Sequence, residues 1–107
     1  MPIYNKLVRD KIPEIIRSTG KNANCITLEY ESYVSELKKK LREEVEEYNK
    51  AAGDAEAVEE LADILEVVDA LAQIHKILPE DLEKVRAKKA EERGGFTDRT
   101  FLIEVME

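Results

Sequence analysis

Over most of this chain, apolar residues recur at the spacing of helices rather than of strands. Ile12, Ile15 and Ile16 predict a short helix from about Lys11 to Ser18, with Pro13 tolerated in its first turn and Gly20 closing it. Val34, Leu37, Leu41, Val45 and Tyr48 fall on one stripe at about 100° per residue. They predict a long helix from about Ser32 to Ala52, stopped by Gly53. Asp54 is the expected N-cap of a second long helix, from about Ala55 to Ile77, and Pro79 opens a further one that ends near Gly94-Gly95. Two β-prone stretches, near residues 25–30 and 100–105, predict short strands that could pair. The expected architecture is all-α: a helical bundle built on an antiparallel helix hairpin, with a minor β element, in one domain over residues 1–107.

The same helical phase sorts the acidic residues. In the run Glu43-Glu44-Val45-Glu46-Glu47, Glu43 and Glu46 point away from the apolar stripe. Glu44 falls within it and Glu47 lies at its border, three residues on and therefore on the same face. On the second long helix, Glu59, Glu66, Asp69, Gln73 and Lys76 form a wet face. Glu60 sits inside the apolar arc there, and Asp63 lies toward its edge. That helix is apolar almost all round, as befits an element central to a fold or to an oligomer interface.

Inward carboxylates need protons, basic partners or a metal. A tight turn at Gly53-Asp54 would bring the pair Glu44/Glu47 against the pair Glu60/Asp63. An all-oxygen ligand set suits magnesium, manganese or calcium better than zinc. Salt bridges to Lys6, Arg9 or Lys11 are the plain alternative. Two pairs in matched phase favour the metal.

Composition narrows the partners. The 107 residues carry 24 acidic and 17 basic side chains, a formal charge of -7, which argues against a protein that grips a nucleic-acid polymer by its phosphates. The charge is uneven. Residues 1–24 hold five basic and two acidic groups (+3), residues 25–75 five and fourteen (-9), and residues 76–107 seven and eight (-1). A single cysteine, Cys25, excludes an intrachain disulfide and fits a reducing, cytoplasmic setting. No apolar run approaches the ~18 residues of a membrane span, and the opening Met1-Pro2-Ile3 does not read as a signal peptide.

Leu41-Arg42-Glu43-Glu44-Val45-Glu46-Glu47 followed by Glu59-Glu60-Leu61-Ala62-Asp63 resembles the paired ExxE and ExxD motifs of the all-α NTP pyrophosphatases. The stretch from Tyr4 to Pro13 (YNKLVRDKIP) and the later Arg93-Gly94-Gly95-Phe96 are similar to the MazG-like, or phosphoribosyl-ATP pyrophosphohydrolase-like, branch of that superfamily. The resemblance implies a helical bundle that forms a homodimer or homotetramer. It implies magnesium-dependent hydrolysis of a nucleoside triphosphate to monophosphate and pyrophosphate, with manganese able to substitute. Glu44, Glu47, Glu60 and Asp63 match the metal ligands, and through metal-activated water they would be the catalytic groups. Lys6 and Arg9 would be substrate-side residues.

On the last helix, Lys89 and Arg93 share the phase of Leu82 and Val85, as does Arg86, and are candidate phosphate contacts. Gly94-Gly95 could let backbone N–H groups approach a substrate, although two glycines more often simply stop a helix. His75 is read as a core or interface residue, Cys25 as a small buried one, and Tyr30, Tyr33 and Tyr48 as core rather than base-stacking groups. Two other functions compete: a non-catalytic helical module for oligomeric interaction or nucleotide sensing, and phosphoribosyl-ATP pyrophosphohydrolase proper. The Lys6–Pro13 segment speaks against the second.

Overall fold

The computed structural model describes residues 3–107. Four helices follow in order: α1 (Ile12–Ser18), α2 (Tyr30–Lys50), α3 (Asp54–Ile74) and α4 (Pro79–Arg93). The all-α expectation holds. α2 and α3 form the antiparallel hairpin, and α4 touches α3. Leu37 of α2 and Val67 and Ala72 of α3 are the buried apolar residues among those described.

Boundaries deviate where capping was misjudged. Gly53, in extended backbone, is the N-cap of α3, and Asp54 is its first helical residue. The carbonyl of Gly53 accepts from Ala57 N–H at 2.9 Å. Asp54 and Glu56 instead place negative charge in the first turn, where the helix dipole favours it. Glu56 also reaches back to accept from Ala52 N–H at 3.3 Å.

The expected strands near residues 25–30 and 100–105 do not form: among the described residues there is no strand. Tyr30 already belongs to α2. Ile26, Phe101 and Ile103 are more than four-fifths exposed, so neither stretch has a packed face to hold it against a partner. A lone two-stranded ribbon is marginal in water without such a face. Cys25, expected to be buried, is exposed, and His75 is exposed too and so not a core residue of the chain. Tyr30 is mostly exposed and Tyr48 partly so, while Tyr33 is half-buried.

At 100° per residue, the hairpin presents two unlike flanks. One carries Lys40, Glu43 and Glu47 of α2 and Asp63 of α3. The opposite one carries Val45 of α2 and Leu61 of α3, while Val58 and Leu65 lie on the side of α3 turned from α2; all four are exposed. The total accessible area is 9989 Å². A compact monomer of 12.3 kDa would expose about 6,100 Å². The radius of gyration, 18.2 Å, likewise exceeds the ~13 Å of a compact chain of this length. Among the described residues no helix is long and apolar enough to cross a membrane.

α3 ends in a Schellman turn built on a lysine. Lys76 N–H donates to the Gln73 carbonyl at 2.9 Å and Ile77 N–H to that of Ala72 at 3.0 Å, with Lys76 at φ 61°. A side chain in that left-handed region costs energy that glycine avoids. Lys76→Gly is therefore expected to raise unfolding free energy by about 0.5–1 kcal/mol in urea denaturation. Lys76→Ala, which keeps the strain, is expected to bring no such gain.

Candidate functional site

The hairpin delivers three of the four inward acids to one place. Glu44 comes from the middle of α2, and Glu60 and Asp63 lie one turn apart on α3. One carboxylate oxygen from each can be chosen so that all three lie within 4.8 Å of one another, and all three residues are half-buried. Glu47, one turn beyond Glu44, is more exposed and stands outside this group.

Crowding is felt most at Glu60, whose pKa is raised above the ordinary glutamate value. Desolvation is the largest cause, followed by a side-chain hydrogen bond with Glu44 and then by the charges of Glu44, Asp63 and Glu47. Glu47 thus acts on the cluster electrostatically without joining it.

Two cations already reach the acids. Arg9 Nη2 donates to Asp63 Oδ1 at 2.6 Å, the arginine exposed and the aspartate half-buried. Lys40 Nζ lies 3.3 Å from Glu44 Oε1 and 3.8 Å from Glu43 Oε2. Beside the cluster is a hollow of about 330 Å³ lined by Lys6, Lys40, Glu43, Glu44, Glu46 and Glu47. Lys6 also sits 5.6 Å above the Tyr4 ring, in cation–π range.

Lys40 escaped the sequence reading, although its spacing of four from Glu44 is a sequence signal for pairing. Glu43 and Glu46 were read as facing solvent. Glu43 is instead half-buried, and both line the hollow. Helical phase alone cannot reveal that an N-terminal segment lies beside that side of α2.

Among the described residues, no basic residue of α4 forms an ion pair with the four acids. Lys89 is exposed and lines neither hollow described here. Arg93 lines a separate hollow of about 270 Å³ with Gly94, Gly95, Asp98 and Arg99, into which none of the four acids projects. The N–H of Gly94 is committed to the Ala90 carbonyl at 2.8 Å, so it closes the helix and is not open to a ligand. Arg86 is tied at 2.8 and 2.6 Å to Glu83, whose carboxyl that hydrogen bond lowers.

Three carboxylates at this spacing can share a proton, pair with cations or ligate one hard ion. Opposed ligand oxygens around magnesium, at ~2.1 Å each from the ion, lie about 4.2 Å apart, and around calcium somewhat farther. The donor set and its spacing therefore fit such an ion. Acidic clusters also occur without one.

The raised Glu60 pKa fixes a sign. A carboxyl whose folded pKa lies above its unfolded value favours folding in the protonated form, and that contribution is lost as pH rises through the folded pKa. In chelator, Glu60→Gln is expected to raise the melting temperature at pH 7, and to gain less at pH 4, where the wild-type group is largely protonated. Equal gains at both pH values would contradict the shift.

Comparison with protein-family models, curated proteins and solved structures returned no match, so the family likeness rests on the motif residues alone.

Proposed function

We propose that this protein is a divalent-cation-dependent nucleoside triphosphate pyrophosphohydrolase, converting a nucleoside triphosphate and water to the monophosphate and pyrophosphate, and that it serves in house-cleaning of noncanonical nucleotides. The observation that carries this reading is the convergence of Glu44, Glu60 and Asp63 from two helices onto one point. Magnesium, or manganese in its place, would be held by these three, with Glu47 beside them. Such an ion would offset charge on phosphate oxygens and acidify a bound water. Lys6 and Arg9, already beside the acids, are suited to hold the phosphate chain.

A second reading, a non-catalytic helical interaction or nucleotide-sensing module, draws support from the ion pairs. Lys40 and Arg9 already offset two of the three acids. Pyrophosphate release from a panel of standard and noncanonical nucleoside triphosphates, with magnesium, separates the two. Turnover is expected on at least one of them. Glu60→Gln is expected to reduce it at least a hundredfold while leaving the helical circular dichroism intact. No turnover on any substrate by the folded protein would favour the module.

The chain is also proposed to work as a homodimer or homotetramer, closed over the exposed apolar residues Val45, Val58, Leu61 and Leu65. Stable obligate interfaces bury on the order of 2,000 Å² or more in total, which the excess exposed area can supply. Sedimentation should give at least twice the 12.3 kDa chain mass. Leu61→Lys should shift it toward the monomer, and a wild-type monomer would refute the interface.

A further inference from the structure

Among the described residues, Arg9–Asp63 is the ion pair that spans the most sequence, 54 positions. The other ion pairs span four positions or fewer. Arg9 lies before α1, in a stretch that belongs to no helix. Its contact is therefore what brings a positive charge from outside the hairpin onto the acid cluster. Only Nη2 is engaged, rather than the two-pronged grip of which a guanidinium is capable. The pair is also accessible to water, with side chains 53% and 38% exposed, so it is weakly held and open to exchange.

We propose that Arg9 is a built-in counter-cation of the Glu44/Glu60/Asp63 cluster, which competes with a divalent cation for Asp63 and is freed by that cation to hold a phosphate group. The inference rests on the metal-site reading above and adds to it what the site does before an ion arrives. Three carboxylates drawn together by the hairpin repel each other, and Lys40 reaches only the α2 side of the group. Arg9 supplies the charge on the α3 side.

Arg9 and Lys40 reach Asp63 and Glu44, and no ion pair among the described residues reaches Glu60, the third acid. A divalent ion brings twice the charge, repels the guanidinium, and draws on the same Asp63 lone pairs. Lys6 is less suited to this exchange, because its ammonium is over Tyr4 and makes no ion pair with an acid among the described residues. A guanidinium released beside a cation-loaded cluster, with donors to spare, matches the geometry of a phosphate oxygen pair.

The test is calorimetric titration of manganese chloride alone into the full chain, as wild type, Arg9→Gln and Arg9→Lys, each verified as helical by circular dichroism. Removing a unit charge about 5 Å from a divalent ion is expected to tighten binding roughly tenfold in Arg9→Gln. Arg9→Lys, which keeps the charge, is expected to stay within about threefold of wild type. In chelator, Arg9→Gln is expected to melt below wild type, because the acids lose a counter-charge.

Unchanged or weaker manganese binding by Arg9→Gln, with wild type binding normally, would overturn the counter-cation role and leave the metal site standing. It would mean that Arg9 orients Asp63 for the ion, or does not act on it. Heat from neither wild type nor Arg9→Gln would remove the metal site itself, and this inference with it.

Discussion

Like charges forced together are the constraint from which the rest of this structure follows. α2 and α3 bury Leu37 and Val67 by packing antiparallel, and that packing brings Glu44 of one helix against Glu60 and Asp63 of the other. The apolar contact cannot form without the electrostatic cost. Three partly desolvated carboxylates within 4.8 Å are tolerable only if protons, basic side chains or a cation compensate them. All three devices are compatible with what surrounds the cluster. Glu60 holds its proton more tightly than usual, and Lys40 and Arg9 pair with Glu44 and Asp63.

The two flanks of the hairpin divide the work. The acid flank gathers the N-terminal segment, because Lys6 and Arg9 are the charges that segment can offer to the negative middle of the chain. The opposite flank leaves Val45 and Leu61 in water, and the back of α3 leaves Val58 and Leu65 there. The acids and their counter-cations lie on one side of the hairpin, and exposed apolar residues lie away from them. Lys89 and Arg93, which helical phase nominated as phosphate contacts, are on α4 and share neither hollow with the acids.

Much of this was legible in the sequence, for physical reasons that differ by feature. The long helices were readable because their apolar stripes run for about five turns and end in glycine, proline or a change of phase. Glu44, Glu60 and Asp63 were readable because each departs from the wet face of a strongly periodic helix. Glu47, on the border of its stripe, is on the border in space too. The pairing of Arg9 with Asp63 stood only as an open alternative, since no local pattern sets the distance between residues 54 apart. Glu43 was misread for the same reason. The strands failed because β-propensity describes a residue that fits a packed sheet, and Phe101 and Ile103 have nothing to pack on. Asp54 lost the cap to Gly53, whose extended backbone starts the helix one residue earlier than expected.

The central claim is that the convergence of Glu44, Glu60 and Asp63 is a divalent-cation site rather than an accident of packing. Substoichiometric manganese added to isotope-labelled protein tests it most directly, by paramagnetic broadening of amide signals. Broadening should begin at residues around Glu44, Glu60 and Asp63 while those of α4 stay sharp. Uniform broadening over exposed acids such as Glu91, Glu92 and Glu104, with no preference for the hairpin, would contradict it.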